Sequence, residues 1–214
     1  MKVELLRHIV DTDRCAVLRE FDKFDPQEWC IVKHTPEWAV EEGVIRGGFA
    51  DEPTHGQIFC KTQFTGDVIL DFEARIVPPS YHDLVWFWNT KLMNEEPCWS
   101  GGYLGCLGGW WSNMAGIEKL PTYDPSAIAP SHDTKPGVWY HIVSGSVGDE
   151  HFIAVDGKLV TYVADASPAD TSTPSSIGFG VYESCCEYRK LRVLRSNAEK
   201  REPKYIPGTK YKQI

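Results

Sequence analysis

The chain has 214 residues, a formal net charge of −8, 42% hydrophobic and 24% charged residues. That apolar content is too high for a disordered chain, and a chain of this size folds without needing disulfides. The acidity argues against a dedicated nucleic-acid binder, whose footprint is basic, and against an anionic membrane surface as partner. Eight Trp are the compositional oddity, because each buried indole N–H needs a partner.

Taken in chain order, Met1–Arg7 alternates charges with apolar residues and lacks the apolar run of a secretory leader. No stretch reaches the roughly 18 apolar residues of a membrane span. A cytoplasmic location is expected. Residues 1–50 read as mixed, with the short apolar run Trp29-Cys30-Ile31-Val32. From Gln57 the signal becomes β. Within Asp67–Pro78, Val68, Leu70, Phe72, Ala74 and Ile76 alternate with residues that include Asp71, Glu73 and Arg75, a period of two with one apolar face. Asp83–Asn89 is a strand apolar on both faces, with Leu84, Trp86 and Trp88 on one and Val85 and Phe87 on the other.

Lys91–Lys135 shows no convincing long strand and is rich in Gly, Trp and Pro, so it reads as a long functional loop. Strands resume at Val138–Val147 and His151–Val155. Asp156-Gly157 is a hairpin turn leading into Lys158–Val163, and Ile177–Tyr182 and Cys186–Arg195 close the series. The expectation is one antiparallel β-sandwich over residues 1–196 with a charged surface extension over 197–214. The seven Cys are odd in number and form no C-x-x-C pair, which predicts free thiols in a reducing compartment.

Trp139-Tyr140-His141 followed by Val155-Asp156-Gly157-Lys158-Leu159-Val160 resembles the hairpin of the concanavalin A-like lectin/glucanase sandwiches. The closing strands Ile177–Gly180 and Leu191–Val193 fit the end of that fold. The stretch Gly108-Gly109-Trp110-Trp111, then Gly116-Ile117-Glu118-Lys119, is similar to a signature of the YesU-like bacterial family. The resemblance spans about Gln57–Arg195. It implies an all-β jelly-roll of two antiparallel curved sheets, sugar binding on the concave face, and use of plant cell-wall glycans of the pectin and rhamnogalacturonan type. The E-x-D-x-x-E catalytic strand of the related β-glucanases is absent. Asp71-Phe72-Glu73 is only a partial echo of it.

Hydrolysis of a glycosidic bond needs two carboxyl groups across it, about 5–9.5 Å apart. Glu73 and Glu118 are the candidate acid/base pair, ahead of Glu183 and Glu187. Elimination would instead use His82, His141, Lys61, Lys119 or Tyr123 as base. Trp86, Trp88, Trp110 and Trp111 would form a sugar platform, with Arg75 and Lys119 contacting anionic groups such as a uronate carboxylate and His82 as a further substrate contact. The expected partner is an oligosaccharide imported into the cell, and homo-oligomerisation stays open. No cofactor or catalytic metal is expected; a structural Ca2+ accompanies many sandwiches of this type and is left open. The leading expectation is hydrolysis or elimination of such oligosaccharides. The alternatives are glycan binding without catalysis, and a structural or partner-binding sandwich.

Overall fold

In the computed structural model the described residues are 1–21, 24–32, 38–48, 55–91, 101–109, 113–130 and 132–202. They contain one 3-10 turn, Pro26–Glu28, and otherwise strands. The first third holds β1 (Lys2–Glu4), β2 (His8–Asp11), β3 (Ala16–Phe21), β4 (Trp29–Val32), β5 (Trp38–Glu41), β6 (Val44–Gly47) and β7 (His55–Cys60). The middle holds β8 (Ile69–Ile76), β9 (Leu84–Thr90), β10 (Tyr103–Gly109), β11 (Met114–Lys119) and β12 (Asp124–Ala129). The last third holds β13 (Tyr140–Val147), β14 (Glu150–Val155), β15 (Lys158–Ala164), β16 (Ser176–Tyr182), β17 (Cys186–Arg195) and β18 (Glu199–Lys200).

These strands build two large antiparallel sheets. One has seven strands in the order β12-β11-β10-β9-β16-β7-β4; the other has the order β15-β14-β13-β8-β17-β6-β5, with β3 also paired to β17. The fold is an all-β sandwich of two large antiparallel sheets, as the alternating strands predict. Between the sheets lies one aromatic core. Phe72 of β8 meets Trp86 of β9 edge-on at 5.6 Å and Phe179 of β16 at 5.4 Å, while Phe179 stacks on Tyr188 of β17 at 4.2 Å. Such pairs add about 0.5–1.5 kcal/mol each beyond area burial.

The interval expected to be a long loop instead carries β10, β11 and β12. Glycine hid them. A Cβ on Gly105 would stand 2.5 Å from the Trp86 ring, so β10 needs glycine where the indole of its neighbour lies flat across it. Glycine in a strand thus marks close approach here and not a loop. Residues 1–50, expected to be mixed, supply six short strands. The segment after Asn197 adds β18 to β2.

β1, β2 and β18 form a third, small sheet. Its Val3, Leu5 and Val10 pack on Ile69, Val143, Phe152 and Leu194, which point out of the eight-membered sheet. Glu150 fastens the joint. It is buried and accepts hydrogen bonds from Tyr162 Oη at 2.5 Å and Arg7 N at 3.0 Å, and it pairs with His8. The small sheet covers only the part of the outer face where β8, β13 and β17 present Ile69, Val143 and Leu194. Two residues farther along each of these strands the outward residues become Asp71, His141 and Arg192, and that half is the polar one.

Candidate glycan-binding face

The polar half of this outer face is organised on the alternation of β8. Leu70, Phe72, Ala74 and Ile76 enter the core, so Asp71, Glu73 and Arg75 point away from it. Strand register sets their neighbours. Glu73 stands opposite His141 on β13 and opposite Arg189 on β17, while Asp71 stands opposite Arg192. Each carboxylate therefore finds a cation across a strand.

Asp71 is nearly buried and accepts from His141 Nε2 at 2.7 Å and from Arg192 at 2.5 Å. Glu73 accepts from Arg189 Nε at 2.6 Å and Lys190 Nζ at 2.8 Å. Two consecutive residues of β17 reach one carboxylate because the strand bulges between Arg189 and Arg192. Lys190 takes φ 54° there, the left-handed region in which a bulge redirects side chains. Glu187 accepts from Arg75 Nε at 2.5 Å and Arg46 Nε at 2.8 Å. The Trp139 ring ties the network together, with the Arg75 guanidinium at 4.7 Å and that of Arg189 at 3.9 Å.

Burial pushes the Glu73 carboxyl up, but the hydrogen bonds from Lys190 and Arg189 outweigh it and hold the group below its ordinary value. Glu187 follows the same pattern, with Arg75 and Arg46 outweighing burial. Both are carboxylates at neutral pH. They can accept hydrogen bonds and cannot serve as general acids, which must hold a proton at working pH.

A cavity of about 600 Å3 opens over this network, where β17 changes partner from β6 to β3. Asp71, Glu73, His141, Arg189, Lys190 and Arg192 give its polar lining, and residues 20–21, 42–44 and 72 complete its walls. The volume falls in the ~300–1,000 Å3 range of small-molecule sites.

The residues expected from the sequence are distributed differently. Glu73 lines the cavity, but Glu118 does not join it. Glu118 is paired with Leu104 on β10 and buried on the outer face of the seven-stranded sheet, the far side of the sandwich. Two sheets about 10 Å apart separate the carboxyls, so they cannot flank one bond. Trp86 and Trp88 are fully buried between the sheets and offer no ring to a sugar. Trp88 donates its indole N–H to Ser146 Oγ at 2.9 Å. Arg75 shares the face of Glu73 as expected, yet its ion partner is Glu187. Lys119 is engaged at the rim of the other sheet by Asp165 at 2.8 Å. His82 lies ahead of β9, edge-on to Tyr81 at 4.6 Å, and is not part of the cavity lining. Lys61 gives its ammonium to the Gln27 carbonyl at 2.8 Å. Trp110 and Trp111 lie outside the described residues, as does Trp99.

Sequence reading passed over Trp139, Arg189, Lys190 and Arg192, and ranked His141 and Glu187 low. The available signal was the β17 pattern Glu187, Arg189, Arg192, a strand that carries charge toward one side while its Tyr188, Leu191 and Val193 are apolar.

The outer face of the seven-stranded sheet is largely apolar, with Glu118 buried beside Leu104. Phe59, Val85, Phe87, Leu104, Cys106 and Leu120 form a buried cluster there. At its margin Asp83, 2% exposed, accepts the Cys106 thiol at 2.9 Å. Burial raises the Asp83 carboxyl to about 6, a value suited to acid chemistry, but the group is sealed from substrate. Among the described residues no cluster of three or more potential metal ligands occurs. The six described cysteines are free thiols.

The sequence matches no protein-family model and no curated protein. Its fold is similar to solved structures of low identity. A Bacillus subtilis protein of unknown function with a galectin-like fold aligns with TM-score 0.65 and 11% identity, over 92% of this chain and 99% of that one. The carbohydrate-binding module CBM66 from Bacillus subtilis aligns with TM-score 0.60 and 15% identity, over 78% and 96%. The exoplasmic/lumenal domain of VIP36, in a Ca2+/Man3GlcNAc-bound form, aligns with TM-score 0.59 and 8% identity, over 82% and 87%.

Proposed function

We propose that this protein binds glycans without cleaving them, through the polar half of the outer face carried by β8, β13 and β17. The observation that carries this reading is the ion-paired floor of the 600 Å3 cavity. Sugar hydroxyls both donate and accept, and they need partners of both kinds held in place. Asp71, Glu73, His141, Arg189 and Arg192 provide donors and acceptors in alternation, each oriented by its neighbour. A carboxylate keeps spare lone pairs after two hydrogen bonds, and a guanidinium has five N–H groups. Carbohydrate-binding structures of similar fold support the reading. The likeness to YesU-like proteins supports an origin in plant-wall glycan use.

Catalysis by Glu73 and Glu118 is disfavoured, because they lie on opposite faces and Glu73 is held ionised. The test is a titration with a panel of plant-wall oligosaccharides, read by calorimetry, with mass spectrometry of the recovered sugars. Binding that weakens about tenfold in Arg192→Ala, with every sugar recovered at its original mass, is expected. A mass gain of water or an unsaturated product would overturn the non-catalytic reading.

A further inference from the structure

The charges around the cavity differ between floor and rim. On the floor Arg189 and Lys190 are both committed to Glu73, and Arg192 and His141 to Asp71. At the rim stand Glu20 and Glu42, both exposed. Neither makes an ion pair among the described residues. The described lining thus sets four carboxylates against three permanent cations, and every one of those cations already has a carboxylate partner.

From this we infer that the cavity takes neutral glycans and rejects uronates, a specificity that rests on the glycan-binding reading above. A uronate carboxylate must pass Glu20 and Glu42, whose like charges oppose it. On the floor it can gain a guanidinium only by displacing Asp71 or Glu73. Asp71 is 4% exposed, and a buried carboxylate robbed of its cation is costly. A neutral sugar meets neither obstacle. Its hydroxyls fit between the existing pairs and leave them intact. The acidic residues of the site act as a filter against acidic sugars and in favour of neutral ones.

The test uses matched pairs: oligosaccharides of galactose and of glucose, and their counterparts oxidised to the uronate at C6. Affinities are measured at low and at high salt. Neutral members are expected to bind at least tenfold more tightly than their acids, with the gap narrowing as salt screens the rim. In Glu20→Gln/Glu42→Gln the ratio of acid to neutral affinity is expected to rise at least threefold. Acids that bind as tightly as neutral sugars, or a ratio unmoved by the double substitution, would overturn the filter while leaving glycan binding in place. Failure of every pair to bind would overturn the glycan-binding reading itself and the filter with it.

Discussion

The outer faces of the two sheets are built from the same alternating strands and have opposite chemistry. On the eight-membered sheet the outward positions carry Asp71, Glu73, His141, Arg189 and Arg192, paired with one another under an open cavity. On the seven-stranded sheet they carry Phe59, Val85, Phe87 and Leu104, all buried. One face is polar and fixed by ion pairs; the other behaves as a second core. The strand with two tryptophans belongs to the second sheet, so aromatic richness and ligand chemistry lie on different halves of the molecule.

The largest effect should come from the shared core. Trp86→Ala removes a fully buried indole packed on Phe72 and is expected to cost about 3–5 kcal/mol by urea unfolding. A loss under about 1 kcal/mol would show that Trp86 is not core.

The two faces should also respond to pH with opposite signs. Folding raises the Asp83 carboxyl to about 6, so its stabilising protonated form is fully effective below the unfolded value near 4, and the benefit disappears as pH rises through about 6. Relative to Asp83→Asn, the wild-type chain should lose about 2 kcal/mol between pH 4 and 7. Glu73 and Glu187 are held below their ordinary values. Their contribution is complete above the unfolded value near 4.3 and is lost as pH falls through their lower folded values. Unfolding curves of Glu187→Gln should therefore lose part of the acid-side slope and keep the slope due to Asp83.

Smaller effects separate binding from folding. Asp71→Ala leaves His141 and Arg192 without their acceptor. Because both side chains are partly exposed, a loss of about 1–3 kcal/mol in stability is expected, with glycan affinity reduced at least tenfold. Arg192→Ala should reduce affinity by about tenfold, near 1.4 kcal/mol. Lys190→Ala should change stability by no more than about 0.5 kcal/mol, because its side chain is 68% exposed. Equal losses for Lys190 and Asp71 variants would contradict the distinction between exposed and buried members of the network.

Much of the fold is legible in the sequence, because alternation with a polar side, as in β8, fixes both the strand and its orientation. β9 defeats that reading. Trp86 and Trp88 alternate with Val85 and Phe87, and when both sides are apolar the pattern cannot say which is inner. β10 defeats it differently, since Gly105 is required by an indole from another strand and resembles a loop signal. The site was least legible. Glu73 meets Arg189 across 116 residues and Asp71 meets Arg192 across 121, pairings made by sheet register and not by any local motif. Glu118 looked like a partner for Glu73 because a sequence does not show which sheet a strand joins.

The most direct test is to map a bound neutral oligosaccharide on the protein by NMR chemical-shift perturbation. The account predicts shifts concentrated on His141, Arg189, Lys190 and Arg192 and in the Trp139 indole, with the Val85, Phe87 and Leu104 amides unmoved. Perturbations centred on Phe59, Phe87 and Leu104, with His141 and Arg192 silent, would contradict it and place the ligand on the seven-stranded face.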